Sequence, residues 1–185
     1  MTIDIVQVAD PVLREIAREL SVDEIKSPAI QDLILQMRDT MRAAPGVGLA
    51  APQIGASLQL AVIEDRIEYQ KGISPEQLEA RRREPIDFHV IINPRLRFLG
   101  DKTVDFFEGC LSVAGFAGKV SRGTTVLVDC LNARGEPITL KAKGWYARIL
   151  QHEIDHLNGT LYIDRMDTRS FTTIENADRF LRSTK

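Results

Sequence analysis

Apolar residues recur along this chain first at helical spacing and then in short runs, and the changes of period divide it into elements. Asp10-Pro11 stands before Val12, Leu13, Ile16, Ala17 and Leu20, which reads as an N-cap, a proline in the first turn and the apolar stripe of a short amphipathic helix. Ser27-Pro28 repeats that start signal. Ile30, Leu33, Ile34, Met37 and Met41 follow it and predict a longer, core-packed helix ending near Arg42. Residues 45–55 (PGVGLAAPQIG) combine prolines with small residues and read as loop or irregular strand. The apolar runs at 58–64 (LQLAVIE) and 88–93 (FHVIIN) read as buried strands. Between them, residues 65–87 are densely charged and lose the strand pattern. They predict a surface insertion with one or two helical turns between Pro75 and Arg83.

Downstream the pattern is mostly β. Residues 104–107 (VDFF) lead into EGCLS, 124–131 (TTVLVDCL) form a strand, NARGE turns, and 137–141 return as its partner. Gly144 then opens a helix through GWYARILQHEIDHLNG, which Gly159 stops. Strands surrounding one helix, with further helices at the N-terminal end, predict an α+β fold whose antiparallel sheets pack around that central helix.

Composition narrows the class. A chain of 185 residues that is 44% apolar is read as one domain over 1–185. The net charge of −2 gives no general pull toward nucleic acid, and the basic run at 81–83, flanked by Glu79 and Glu84, reads as a solvated helix face. No apolar run reaches the ~20 residues of a membrane span, and the start MTIDIVQVAD has no signal-like character, so the expectation is a soluble, intracellular protein. In a reducing compartment Cys110 and Cys130 are free thiols or metal ligands rather than a disulfide.

The chemistry concentrates in residues 151–159, QHEIDHLNG. His152 and His156 stand one helical turn apart on one face, where both can hold one metal ion, and Glu153 lies beside them. The third ligand is open at this level. His89, within a strand run, reads as a strand residue. One metalloprotease class places a histidine six residues after the second, but that position is Tyr162. A metalloendopeptidase with Glu175, or the neighbouring Asp178, as third ligand is one alternative, and a closed structural zinc site is another. Cys110 sits at a strand end within EGCLS, where a thiolate can ligate zinc or ferrous iron. Cys130, in strand alternation, reads as packing.

Three segments in this order, GVGLAAPQIG at 46–55, EGCLS at 108–112 and QHEIDHLNG at 151–159, together resemble peptide deformylases, and the likeness runs from VQVADPVLRE to the region of Arg165. The resemblance implies that Cys110, His152 and His156 ligate the metal, that Glu153 is the acid/base group, and that Gln53 and the backbone N–H of Leu111 donate to the developing oxyanion. It implies iron(II), while two histidines and a cysteine also suit zinc, nickel or cobalt. The substrate would be the N-terminal formylmethionine of nascent peptides, met near the ribosome exit, with formate released. Nucleic acid and membrane would have no part in binding. The compartment would be bacterial cytoplasm, or an organelle if a presequence has been trimmed. Val47, Trp145 and Ile149 are the candidates for the methionine pocket, and Gly48 lies in a stretch, 46–50, offered as an edge for an extended peptide. Ala114, where many bacterial members have proline, the long 65–87 segment, GFAGKV and GWYARILQHE look more like the branch that includes mitochondrial deformylases.

Overall fold

The computed structural model describes residues 2–177 and 179. A 3-10 turn at Pro11–Arg14 precedes α1 (Val22–Lys26) and α2 (Pro28–Ala43). Strands β1 (Gly48–Ala50) and β2 (Leu60–Asp65) lead through α3 (Pro75–Arg81) to the long β3 (Ile86–Phe98). Then come β4 (Thr103–Cys110), β5 (Val113–Gly123), β6 (Thr125–Leu131), β7 (Pro137–Lys143), α4 (Gly144–Leu157), the short β8 (Thr172–Thr173) and a last helical turn at Ile174–Asn176.

Among the described residues two antiparallel sheets result, one in the order β1-β2-β3-β6-β7 and one in the order β4-β5-β8. The larger sheet is covered on both faces, which is why β2 is buried at every position and reads as a continuous apolar run. Ala61, Ile63 and Ile91 face α4, meeting Ala147, Leu150, Ile154 and Leu157. The alternate residues Leu60, Val62, Val90 and Ile92 face α1 and α2, meeting Ile25, Ile34, Met37 and Met41. A third cluster, with Leu13, Val113, Val120, Leu161 and Tyr162, joins the small sheet to the N-terminal turn. The α+β architecture with α4 at its centre is the one expected from the sequence.

Local chemistry sets the helix starts. Ser27 accepts from the Ile30 amide and Pro28 opens α2, as the sequence signal requires. Asp10 does the same for Val12, but only one turn follows. The predicted helix through Leu20 does not form. The Ala17 amide donates instead to the Leu157 carbonyl and the Arg18 amide to Ser57, so tertiary hydrogen bonds replace helical ones, and Ile16 is left 76% exposed.

The segment 65–87 contains α3, capped by Ser74, and most of its positions are exposed, while its start is anchored in the interior. Asp65 is fully buried and makes a bidentate pair with Arg83, at 2.7 and 2.8 Å. Among the described residues no helix is long and apolar enough to cross a membrane.

Candidate metal centre

Helix α4 is buried almost all round and presents three functional faces. One packs on the large sheet, as above. A second carries Trp145, Ile149, His152 and Glu153 into a cleft of about 510 Å³ whose floor also includes Gln53, Cys110 and Leu111. Val47 and Gly48 line it as well. His156, one turn beyond His152, is buried beneath that floor. Among the described residues, the group of side chains able to hold a metal ion is Cys110, His152 and His156, with donor atoms all within 4.8 Å of one another.

The fit can be tested by distance. Metal–sulfur bonds of ~2.3 Å and metal–nitrogen bonds of ~2.0–2.1 Å at tetrahedral angles put the two nitrogens ~3.3 Å apart and sulfur and nitrogen ~3.6 Å apart. The His152 and His156 Nε2 atoms are 3.3 Å apart, and Cys110 Sγ is 3.3 Å from His156 Nε2. These residues therefore fit a divalent ion. The two sheets and the helix each contribute to the site. Cys110 ends β4, the histidines ride on α4, and Gln53 follows β1 in a 3-10 turn.

The third face of α4 fixes the histidines. Nδ1–H of His152 donates to Glu108 Oε2 at 3.0 Å, which leaves Nε2 as the acceptor nitrogen turned to the site. Glu108 also accepts from Arg122 at 3.0 and 2.9 Å and from Arg148 at 2.6 Å. Arg122 continues to Asp155, which Arg165 grips with two bonds. Burial opposes the charge on Glu108, but His152 and Arg122 outweigh it and hold its carboxyl far below the usual range. Gln151 adds backbone ties, accepting from Gly123 N and donating to the Gly123 and Ala147 carbonyls.

The sequence motifs assign Glu108 and its arginines no role. The available signal was strand alternation, which places Glu108 and Cys110 two apart on β4 and so on one face. The arginine partners come from distant positions and carry no local spacing. Glu108→Gln is expected to weaken metal affinity by about 10- to 100-fold, measured by competition with graded chelators.

Glu153 is 3% exposed, and its Oε2 has no hydrogen-bond partner among the described residues. Burial pushes its carboxyl up to about 7, close to the value an acid/base group needs. Gly48 makes room for it, since a Cβ there would lie 2.2 Å from Glu153 Oε1. Gln53 is buried rather than an exposed loop amide. Its Oε1 accepts from Ala50 N at 2.9 Å, and its Nε2 reaches Ser112 Oγ at 3.2 Å and Cys110 Sγ at 3.4 Å.

The competing ligands lie elsewhere. His89 is held in β3, its Nε2 accepting from the Tyr146 hydroxyl at 2.9 Å. Glu175, in the turn Ile174–Asn176, is exposed and outside the ligand cluster, so the endopeptidase alternative is not favoured. Asp178 lies outside the described residues. Cys130 is buried with its thiol pushed up to about 11 by burial, as a packing residue should be.

Known proteins match this arrangement across most of the chain. A tomato (Solanum lycopersicum) protein, chloroplastic peptide deformylase 1A, is 51% identical over 95% of this chain, which spans 63% of that protein's length. The human mitochondrial peptide deformylase is 42% identical over 91% of this chain and 69% of its own. Among solved structures, a Synechococcus elongatus peptide deformylase in complex with actinonin superposes with a TM-score of 0.75 at 38% identity, covering 90% of this chain and 80% of that one. A class I type b peptide deformylase from Acinetobacter baumannii with Met-Ala-Ser bound gives a TM-score of 0.79 at 30% identity, covering 90% of this chain and 99% of that one. The polypeptide deformylase family model matches residues 2–171, a span that contains the Cys110, His152 and His156 cluster and every cleft residue just named, and on that ground the chain belongs to the polypeptide deformylase family.

Proposed function

We propose that this chain is a metal-dependent hydrolase that removes the formyl group from the N-terminal formylmethionine of newly made peptides, releasing formate. The observation that carries the reading is the convergence of Cys110, His152 and His156 beside the buried Glu153 at the floor of a cleft, in a chain of this family. The relative solved with Met-Ala-Ser, a peptide with a free methionine amino terminus, supports the product class.

When bound, a divalent ion on Cys110, His152 and His156 supplies Lewis-acid polarisation and lowers the pKa of water to about 7 in the zinc case. Glu153 takes a proton from the water that adds to the formyl carbon and returns it to the peptide nitrogen as the carbon–nitrogen bond breaks, so the products are formate and a free amine. Gln53 Nε2 and the Leu111 N–H are proposed to donate to the formyl oxygen as its charge grows, and loss of one such donor typically costs ~3–4 kcal/mol. Among the described residues β1 is the terminal strand of the large sheet, paired with β2 on one side, so its other edge can receive the extended peptide main chain. Val47, Trp145 and Ile149 form the apolar wall proposed for the methionine side chain.

Iron(II) is the proposed native ion, with zinc, nickel or cobalt as substitutes, and metal analysis of protein purified without oxygen tests it. Action on nascent chains near the ribosome exit, in a bacterial cytoplasm or an organelle where translation starts with formylmethionine, belongs to the same proposal. Relatives named as chloroplastic, mitochondrial and bacterial support it.

Formyl-Met-Ala-Ser is expected to release formate with no internal cleavage, and acetyl-Met-Ala-Ser to react far more slowly, as followed by formate assay and mass spectrometry. Internal cleavage abolished by Glu175→Ala but not by Cys110→Ser would overturn the reading. Gly48→Ala is expected to keep the metal yet lose about 100-fold in kcat, because its methyl must displace the carboxylate that moves the proton. Metal analysis and steady-state rates on the same preparation check both halves.

A further inference from the structure

The densely charged segment between β2 and β3 builds one wall of the cleft. Tyr69, Arg81 and Arg83 all line it, the two arginines beside Trp145. The end of α3 is seated against the start of α4, so closely that a Cβ on Gly144 would lie 2.6 Å from the Arg81 carbonyl oxygen. Two guanidiniums from this segment lie over the Trp145 ring, Arg83 at 4.9 Å and Arg81 at 5.2 Å from its centroid. Arg81 also lies 5.1 Å from the Phe106 centroid, and Arg148 lies 5.2 Å from the same ring. Arg148 in turn donates to Glu108, the carboxylate that orients His152. A continuous run of planar groups therefore joins the segment to the partner of a metal ligand.

Arg83 is fixed within this run. Its side chain is 8% exposed, and the fully buried Asp65 accepts from its Nε and its Nη2. A fork–fork pair of this kind sets the plane of the guanidinium as well as its place, and a plane is what a ring can stack on. Trp145 is on the helix that carries His152, in the cleft wall proposed above for the first side chain of the substrate.

We propose that Arg83, clamped by Asp65, is a positioning residue that holds the Trp145 indole and so sets the width of the pocket for the first side chain, favouring unbranched methionine over branched or aromatic residues. The inference rests on the deformylase reading for its substrate, and on geometry alone for the clamp.

Trp145 is the single tryptophan of the chain, so its fluorescence reports the indole directly. Arg83→Lys keeps the charge opposite Asp65 but loses the fork and the flat face. Asp65→Asn/Arg83→Gln removes both charges together and leaves no lone buried carboxylate. Both variants, metal-loaded, are compared with the parent on formyl-Met-Ala-Ser, formyl-Leu-Ala-Ser and formyl-Phe-Ala-Ser, with acrylamide quenching of Trp145 read in parallel.

The expected result is stronger quenching and a roughly tenfold fall in the kcat/KM preference for methionine, the low end of what one methylene of misfit costs, carried by KM more than by kcat. Unchanged preference with unchanged quenching in Arg83→Lys overturns the proposal. So does an equal fall of kcat on all three peptides, which would place the effect at the metal. If the parent releases no formate from any of them, the functional reading fails, while the quenching comparison still decides the clamp.

Discussion

Glu153→Gln is expected to retain one equivalent of metal and to lose about 10²- to 10⁴-fold in turnover, the range typical for removing a general acid/base group. The substitution conserves shape in a site where shape is tightly held. Glu153 is buried, and the Gly48 backbone passes so near that even a methyl group would collide with the carboxylate. An amide of the same size therefore keeps the packing and removes the proton transfer. The donor atoms of Cys110, His152 and His156 are untouched, so the metal should stay. Metal analysis and single-turnover formate release on the same preparation check the result. A variant that arrives metal-free would mean that Glu153 is part of the ligand set.

Cys110→Ser and Cys130→Ser should differ sharply. The first replaces a soft thiolate donor that lies 3.3 Å from His156 Nε2 and is expected to weaken metal binding beyond the roughly 10- to 100-fold typical of changes outside the ligand set, with activity lost in step. The second removes a buried thiol that packs with Val126, Val128 and Ile91 against α4. Its cost should appear in stability, on the order of 1 kcal/mol, with kcat/KM unchanged. Chelator competition and thermal melts separate the two effects. Equal loss of metal in both variants would remove the case for Cys110.

Parts of this molecule are legible in its sequence because their causes are local. α2 and α4 follow from a cap or a glycine, an apolar period and a stop, and the two histidines follow from helix geometry. The helix expected through Leu20 carried the same start signal. It fails because the amides of Ala17 and Arg18 are claimed by carbonyls at Leu157 and Ser57, which no local pattern records. β5 was not legible for a related reason. Its residues VAGFAGKVSRG have little apolar alternation, and pairing with β4 makes them a strand.

At the candidate site, the residues that come together, Cys110, His152 and His156, were readable and their supports were not. Glu108, Arg122 and Asp155 look like surface charges by residue type, and only their mutual pairing in the fold makes them interior. Within the mostly exposed segment 65–87 the same holds for one pair. Asp65 and Arg83 contribute to a charged composition, yet their side chains are withdrawn from solvent as a pair in which each neutralises the other.

The open margin of β1 has a cost that the chain contains by length. Beyond the Ala50 N–H, which Gln53 Oε1 already holds, main-chain groups on an edge that can take a peptide can equally take the same strand of another copy, the first step toward aggregation. β1 is only Gly48–Ala50, and Pro45 and Pro52 stand just outside it without an amide hydrogen to offer. A strand this short gives a transient guest a few hydrogen bonds and gives a second molecule too little to build on.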